Sequence, residues 1–161
     1  MTDSLPPVGR FAPSPSGALH FGSLLAALAS FLDVRQRGGR WLVRMEDLDP
    51  DREPPGAADE ILRLLDAFRL HWDGEVIYQS RRLEAYTDAL RNLEQRGLTY
   101  PCSCNRRRIR ELEGRYDGYC ARHPEKVRHP AAIRVRIPAE PVPFHDRIQG
   151  PQSFDLAATC G

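Results

Sequence analysis

The sequence predicts an α/β fold: half of a doubly wound parallel sheet, followed by a smaller cysteine-bearing α+β part. Three observations carry that expectation. Residues 8–28, VGRFAPSPSGALHFGSLLAAL, read as a short strand, a loop broken by Pro13, Pro15 and Gly17, and the start of an amphipathic helix. Apolar runs of strand length then alternate with helical patterns as far as Gly97. From Thr99 the pattern changes to cysteines, an arginine run and strictly alternating apolar residues.

The first strand is expected over residues 8–12, since the prolines beyond it forbid regular structure. From Ser23 the residues Leu24, Leu25, Leu28, Phe31 and Leu32 form a 3.6-period stripe that predicts a helix ending at Gly38-Gly39. The turn between them offers backbone N–H groups and the positive end of a helix dipole, where α/β proteins bind nucleotides and other anions. There Gly22 would let a ligand approach the backbone, with His20 as a nearby donor. RWLVRM predicts a second strand ending in Glu46-Asp47-Leu48-Asp49-Pro50, which puts carboxylates at the carboxyl edge of the sheet. Ile61, Leu64, Leu65 and Phe68, widened by Leu62, predict a helix over residues 57–70. A turn at His71-Trp72-Asp73-Gly74 leads to a short strand at 76–78. Ser80 is then expected to cap a helix carrying Leu83, Tyr86, Leu90 and Leu93, closed by Gly97.

Beyond Thr99, Cys102 and Cys104 are too close for a comfortable disulfide, yet both thiolates can reach one ion. Cys120 lies sixteen residues after Cys104, and a closed tetrahedral site needs a fourth ligand. By chemistry alone His123 is the first nominee, because imidazole is a common zinc ligand. Arg106, Arg107, Arg108, Arg110 and Arg115 read equally as phosphate contacts or as a solvated face. Ile133, Val135 and Ile137 alternate with Arg134 and Arg136, predicting a half-buried strand with 142–148 as its antiparallel neighbour. Cys160 stands apart as a free thiol.

Composition narrows the class. With 161 residues, 41% of them hydrophobic, the chain can build a core, and disorder throughout is not expected. A net charge of +1 gives no global basic field, so any nucleic-acid partner must be met by local patches. No apolar run spans a bilayer, so no membrane partner is expected. MTDSLPPVGR lacks the pattern of a secretory signal, and the expected address is the cytoplasm, where thiols stay reduced.

RFAPSPSGALHFG, beginning at Arg10, resembles the first signature of the glutamyl class I aminoacyl-tRNA synthetases. His20-Phe21-Gly22-Ser23 stands where that class has its HIGH motif, with Ser23 in place of the second histidine. Ser16, the GALHFGSLLAAL continuation and the cysteine region are more similar to a shortened branch of the family, the glutamyl-Q tRNA(Asp) synthetases, which lack the anticodon-binding domain. The resemblance implies a Rossmann-type half over residues 1–98 and a zinc-binding, acceptor-type insertion over 99–161. It implies an aminoacyl-tRNA ligase acting in two steps: L-glutamate and ATP give glutamyl-adenylate and pyrophosphate, and glutamate is then esterified onto the queuosine base of tRNA(Asp).

In that reading Arg10 binds the substrate carboxylate, Phe11, Ala12, Pro13 and Ser14 shape its pocket, and Glu46 pairs with its ammonium group. His20, Gly22 and Ser23 meet ATP, the first two as the catalytic pair. Mg2+ accompanies ATP, with no dedicated site readable. The family's metal pattern is C-x-C, eleven residues, Y, three residues, C, which implies Cys102, Cys104, Tyr116 and Cys120 around one structural Zn2+, with His123 as the fallback.

The resemblance runs from about residue 10 to about 149, and the ending SFDLAATCG departs from it. The family continues through a second Rossmann half with a lysine loop, and Lys126 is the only lysine here. The expectation is therefore an amino-terminal half, exposing an unpaired sheet edge, and so marginally stable or self-associating. Natural truncation, a frameshift and a partial sequence all remain open, as does activity of the half alone. Two further readings stay open: a fragment of an ordinary glutamyl-tRNA synthetase, with different zinc spacing and tRNA-dependent activation, and a non-catalytic module that binds zinc and tRNA but forms no adenylate.

Overall fold

A computed structural model describes residues 5–114, 116–138 and 140–156. Cys160 lies outside them, as does Arg115. The chain divides into two compact units, residues 1–85 and 86–161, so the division falls inside the third helix, ahead of the 98/99 point expected from sequence.

The first unit is built on three parallel strands, β1 (Val8–Phe11), β2 (Arg40–Met45) and β3 (Ile77–Tyr78), in the order β1-β2-β3. Their register pairs Arg10 with Leu42 and Phe11 with Val43, then Arg44 with Ile77 and Met45 with Tyr78. Helix α1 (Phe21–Arg35) connects β1 to β2, and α2 (Ala57–Ala67) lies between β2 and β3. All three strands therefore end at one edge. Among the described residues no strand pairs the far side of β1.

The core gathers Phe11, Ala27, Val34, Trp41, Val43, Met45, Ile61, Leu65 and Leu70. Trp41 is its centre: its ring stacks on Phe11 at 6.3 Å, meets Phe31 edge-on at 5.3 Å, and its Nε1 donates to Ser30 Oγ at 2.9 Å. Its backbone N–H donates to Asp73 Oδ2 at 2.7 Å, and Asp73 also pairs with Arg35. That carboxylate ties the 71–74 turn to β2 and α1. The tightest backbone joint is Gly39, where an added Cβ would lie 2.2 Å from the Pro7 carbonyl oxygen and 2.6 Å from Val34 Cγ2.

Three local expectations are corrected. The α1 stripe splits: Leu24 and Phe31 pack with Ala27 and Val34 against the core, whereas Leu25, Leu28 and Leu32 are 53%, 39% and 55% exposed. The helix is apolar on two sides, and the small Ala27 decides which side comes close to the sheet. Helix α2 stops at Ala67, because Arg69 turns left-handed (φ 59°) and the Leu70 N–H reaches back to the Leu65 carbonyl. Ser80 does not cap helix α3 (Leu83–Gln95); it lies in a preceding 3-10 turn, and its N–H and hydroxyl both donate to Asp47. Gly97 closes α3 as expected, with φ 66° and a Leu98 N–H to Leu93 carbonyl bond.

The second unit has two small antiparallel sheets. β4 (Thr99–Cys102) pairs with β5 (Ala132–Val135), and β6 (Val142–Asp146) pairs with β7 (Gly150–Phe154). The expected pairing of 142–148 with the alternating strand is thus overturned. The reason is local: Asp146 Oδ1 accepts the N–H groups of both Ile148 and Gln149, making a tight turn that gives β6 the next segment as partner. Nor is β5 half-buried, since Ile133 and Val135 are 48% and 53% exposed. Short helices α4 (Arg106–Glu111) and α5 (Tyr119–Arg122) lie between β4 and β5. Among the described residues of this unit, the apolar groups that are buried are Cys102 and Cys120.

Candidate functional site

At the carboxyl edge of the parallel sheet, the loop after β1 is fastened to the end of β2. The Glu46 N–H donates to the Pro13 carbonyl at 2.9 Å, continuing the strand pairing by one bond after Pro13 has lost its own N–H. Ser14 and Glu46 are brought together as a result. They line one small cleft of about 190 Å³ with Ser16, Asp49, Arg52 and Glu53. Glu46 is held from below by Arg44, whose Nη2 lies 2.5 Å from Glu46 Oε1. Sequence reasoning missed this ion pair. Its signal was the two-residue spacing on a strand, which puts both side chains on one face. It also missed the Asp47–Ser80 link. That bond holds the Asp47 carboxyl below its usual range, although burial opposes the shift.

The remaining candidates at this edge are not lining that cleft. Arg10 is exposed on β1, with no ion pair or hydrogen bond among the described residues, so its guanidinium is available. Phe11 points into the core against Trp41, leaving only its backbone for the pocket. Pro13 is buried, and Ala12 is partly so.

His20, Gly22 and Ser23 form their own group at the start of α1. His20 is the N-cap: its Nδ1 accepts the Ser23 N–H at 3.3 Å, and Ser23 Oγ lies 3.0 Å from its Nε2. An added Cβ at Gly22 would come within 3.1 Å of His20 Cε1. The space Gly22 provides is therefore taken by the His20 ring in this structure. A ligand approaching the backbone there would have to displace it.

The second unit brings three thiols together. Cys102 ends β4, Cys104 follows two residues later, and Cys120 sits in α5. Their sulfurs lie within 4.8 Å of one another, and Cys104 Sγ is 3.5 Å from Cys120 Sγ. The Tyr116 oxygen accepts the Cys120 N–H at 2.8 Å and the Cys102 thiol at 3.5 Å, so its lone pairs face the thiols. Tyr100 stacks on the Tyr116 ring at 6.4 Å and Arg134 covers it at 4.4 Å. His123 is turned elsewhere: it packs on Tyr119 at 4.8 Å and faces Glu125 at 3.5 Å, outside the sulfur group.

Burial pushes the Cys104 thiol up, and the neighbouring thiols of Cys120 and Cys102 add to it. For Cys120 burial also acts upward, but the Ser103 backbone and the Tyr116 hydroxyl outweigh it and bring the thiol to about 7. Burial and the Cys102 thiol raise the Tyr116 phenol. A cluster of three thiols with one oxygen acceptor, two of the thiols buried, is a donor set of the kind that holds a soft divalent ion.

Residues 8–157 match the family model of the class I tRNA synthetases (E and Q), catalytic domain, so the match extends past residue 149, where the sequence resemblance was expected to stop. A glutamyl-Q tRNA(Asp) synthetase from Serratia proteamaculans is 57% identical over 150 residues, covering 93% of this chain and 49% of that protein. One from Pseudomonas putida is 52% identical over 161 residues, covering 100% of this chain and 53% of the relative. One from Escherichia coli is 53% identical over 147 residues, covering 89% and 46%. The chain spans about half the length of the curated relatives it matches. Among solved structures, a glutamate tRNA ligase from Elizabethkingia meningosepticum, in complex with its amino acid, superposes with a TM-score of 0.73 at 21% identity, covering 96% of this chain and 37% of the other. A glutamate-tRNA synthetase from Elizabethkingia anophelis gives 0.72 at 22%, covering 94% and 37%. At these identities the two structures speak for the fold.

Proposed function

The chain belongs to the class I tRNA synthetase family of the E and Q type, and from that premise we propose that it is the glutamate- and ATP-binding portion of a glutamyl-Q tRNA(Asp) synthetase. The observation that carries the reading is the joint between Pro13 and Glu46, which sets a hydroxyl, Ser14, beside a carboxylate, Glu46, at the sheet edge where α/β folds bind ligands.

In the first step a carboxylate oxygen of glutamate attacks the α-phosphorus of ATP, a new O–P bond forms, and pyrophosphate leaves. In the second, the activated glutamyl group passes to the queuosine base of tRNA(Asp) and AMP is released. Such in-line transfer needs positioning and charge stabilisation more than covalent help. Glu46, oriented by Arg44, pairs with the substrate ammonium, and the exposed guanidinium of Arg10 takes a carboxylate. Ser14 donates from the cleft wall, and Phe11, Ala12 and Pro13 contribute backbone shape. His20, Gly22 and Ser23, at the positive end of α1, face the ATP phosphates once the His20 ring lifts from its cap. Magnesium enters with ATP as part of the substrate.

Cys102, Cys104, Cys120 and Tyr116 would hold one zinc ion. Four protein ligands leave no open position, so the ion supplies structure and no chemistry. A cytoplasmic address, with thiols kept reduced, belongs to the same proposal. No helix among the described residues is long and apolar enough to cross a membrane.

The test is glutamate-dependent ATP–pyrophosphate exchange, without tRNA, by this chain joined to the remaining sequence of the Pseudomonas putida relative. Exchange is expected, with a loss of roughly a hundredfold on Glu46→Gln or Arg10→Ala from misplaced substrate. Exchange that needs tRNA, or that neither substitution lowers, would overturn the reading.

A further inference from the structure

The three clustered thiols of the second unit are not equivalent. An open cavity of about 720 Å³ lies beside them, and Cys104 and Cys120 line it, whereas Cys102 does not. Cys102 is buried, donates to the Tyr116 oxygen at 3.5 Å and ends β4 with its backbone paired to Ala132. Cys104 is held more loosely. It is partly exposed, falls in the stretch between β4 and α4 that belongs to no helix or strand, and takes a hydrogen bond from the Arg108 side chain. A partly exposed sulfur beside a cation is the setting in which cysteines react, while buried ones stay inert. Cys120 is buried in α5, with its sulfur 3.5 Å from that of Cys104. A shift of about 1.5 Å closes that gap to a disulfide bond, and the irregular segment can supply it while α5 stays in place.

We propose that Cys104 and Cys120 form a pair oxidised by hydroperoxides, in which Cys104 meets the oxidant at the cavity wall, Cys120 resolves it as a disulfide, and Cys102 stays reduced. The Cys104 thiolate attacks one peroxide oxygen. The S–O bond forms, the O–O bond breaks, and the second oxygen leaves as hydroxide and takes a proton to become water. The Cys120 thiolate then attacks Cys104 Sγ, the S–S bond forms, and the sulfenic oxygen departs as a second water after taking a proton. Two electrons pass from the two sulfurs to the peroxide, which ends as two waters. The pair goes beyond the synthetase reading and does not rest on it. Its consequence for the proposed zinc site is release of the ion, since a disulfide leaves Cys102 and Tyr116 where four ligands are needed.

The experiment treats the zinc-loaded Cys160→Ser chain, whose remaining thiols are the three of the cluster, with hydrogen peroxide. Surviving thiols are then blocked with iodoacetamide in denaturant, and the chain is digested with trypsin. Cleavage after arginine puts Cys102 and Cys104 in one peptide, residues 97–106, and Cys120 in another, residues 116–122. The expected product joins these two peptides with the loss of two hydrogens. Fragmentation should place the link on Cys104 and the blocking group on Cys102, and zinc should leave in step with the link, read by a metallochromic dye. Dithiothreitol should reverse the link. In Cys120→Ser, dimedone should trap a sulfenic acid on Cys104 roughly tenfold faster than on Cys102. A link through Cys102, or trapping of Cys102 first, overturns the pairing. No link at peroxide concentrations that oxidise free cysteine to completion overturns the site. A chain that takes up no zinc overturns the zinc reading, while the peptide link still decides the pair.

Discussion

In the first unit nine apolar side chains from β1, β2, α1, α2 and the segment after it, Trp41 among them, form one core, whereas in the second the buried apolar groups among the described residues are the thiols of Cys102 and Cys120. One unit excludes water with area, at about 1.5–3 kcal/mol for each large side chain buried. The other has too little area to do so, and its buried apolar groups are two thiols of the cluster proposed to hold a metal. The difference teaches where each unit should be vulnerable. Both tryptophans, Trp41 and Trp72, belong to the first unit, while Tyr86, Tyr100, Tyr116 and Tyr119 belong to the second, so each has its own optical and NMR reporters.

The largest effect is expected from Cys120→Ala, which removes a thiol from the proposed zinc site, where a bound metal would contribute on the order of 10–16 kcal/mol of folding free energy. Resonances of Tyr100, Tyr116 and Tyr119 should lose dispersion while tryptophan fluorescence holds. A fluorescence change of equal size would break the comparison. Next comes Trp41→Ala, which should cost the first unit about 3–5 kcal/mol, read from urea unfolding by Trp72 fluorescence, with bound zinc unchanged at one per chain. Gly39→Ala is smaller, about 1–3 kcal/mol, because the added Cβ meets the Pro7 backbone, which cannot rotate away. It should lower the same urea midpoint without touching the tyrosine signals.

The smallest effect is electrostatic. The Trp41 N–H, and after it Arg35, hold the Asp73 carboxyl below its ordinary value of 3.8 against the opposing effect of burial. A carboxylate with a depressed native pKa adds stability that is full above the unfolded value and is lost as pH falls through the native one. The melting difference between wild type and Asp73→Asn should therefore persist from pH 7 to about 5 and shrink below about 4. A difference that is flat down to pH 2 would remove the carboxylate from the account.

Strands β1 and β2 and helix α2 were legible because their patterns admit one buried face each: Trp41, Val43 and Met45 alternate, and Ile61 and Leu65 sit four apart. Helix α1 was legible as a helix and not as a packing element, since Leu25, Leu28 and Leu32 are as apolar as the side that meets the sheet. The partner of β5 was hidden for a different reason. Alternation says that a strand has two faces but not which strand lies beside it, and the Asp146 turn decided that by closing β6 on β7.

At the candidate site, the residue types were readable and their geometry was not. The approach of Ser14 to Glu46 runs through a proline carbonyl, which has no side-chain signature. The role of Gly22 needed the position of the His20 ring. For the fourth position of the proposed metal site, general ligand chemistry nominated His123, while the fold turned that ring to Tyr119 and Glu125 and left the Tyr116 oxygen facing the thiols.

Hydrogen exchange read by mass spectrometry, on the zinc-loaded chain before and after a strong chelator, tests the contrast between the two units most directly. Protection across β4, α5 and β5 should collapse on chelation, while that across β1, β2, α1 and α2 stays as it was. Protection of the second unit that survives complete removal of metal would contradict the claim that the cysteine cluster stands in for a core.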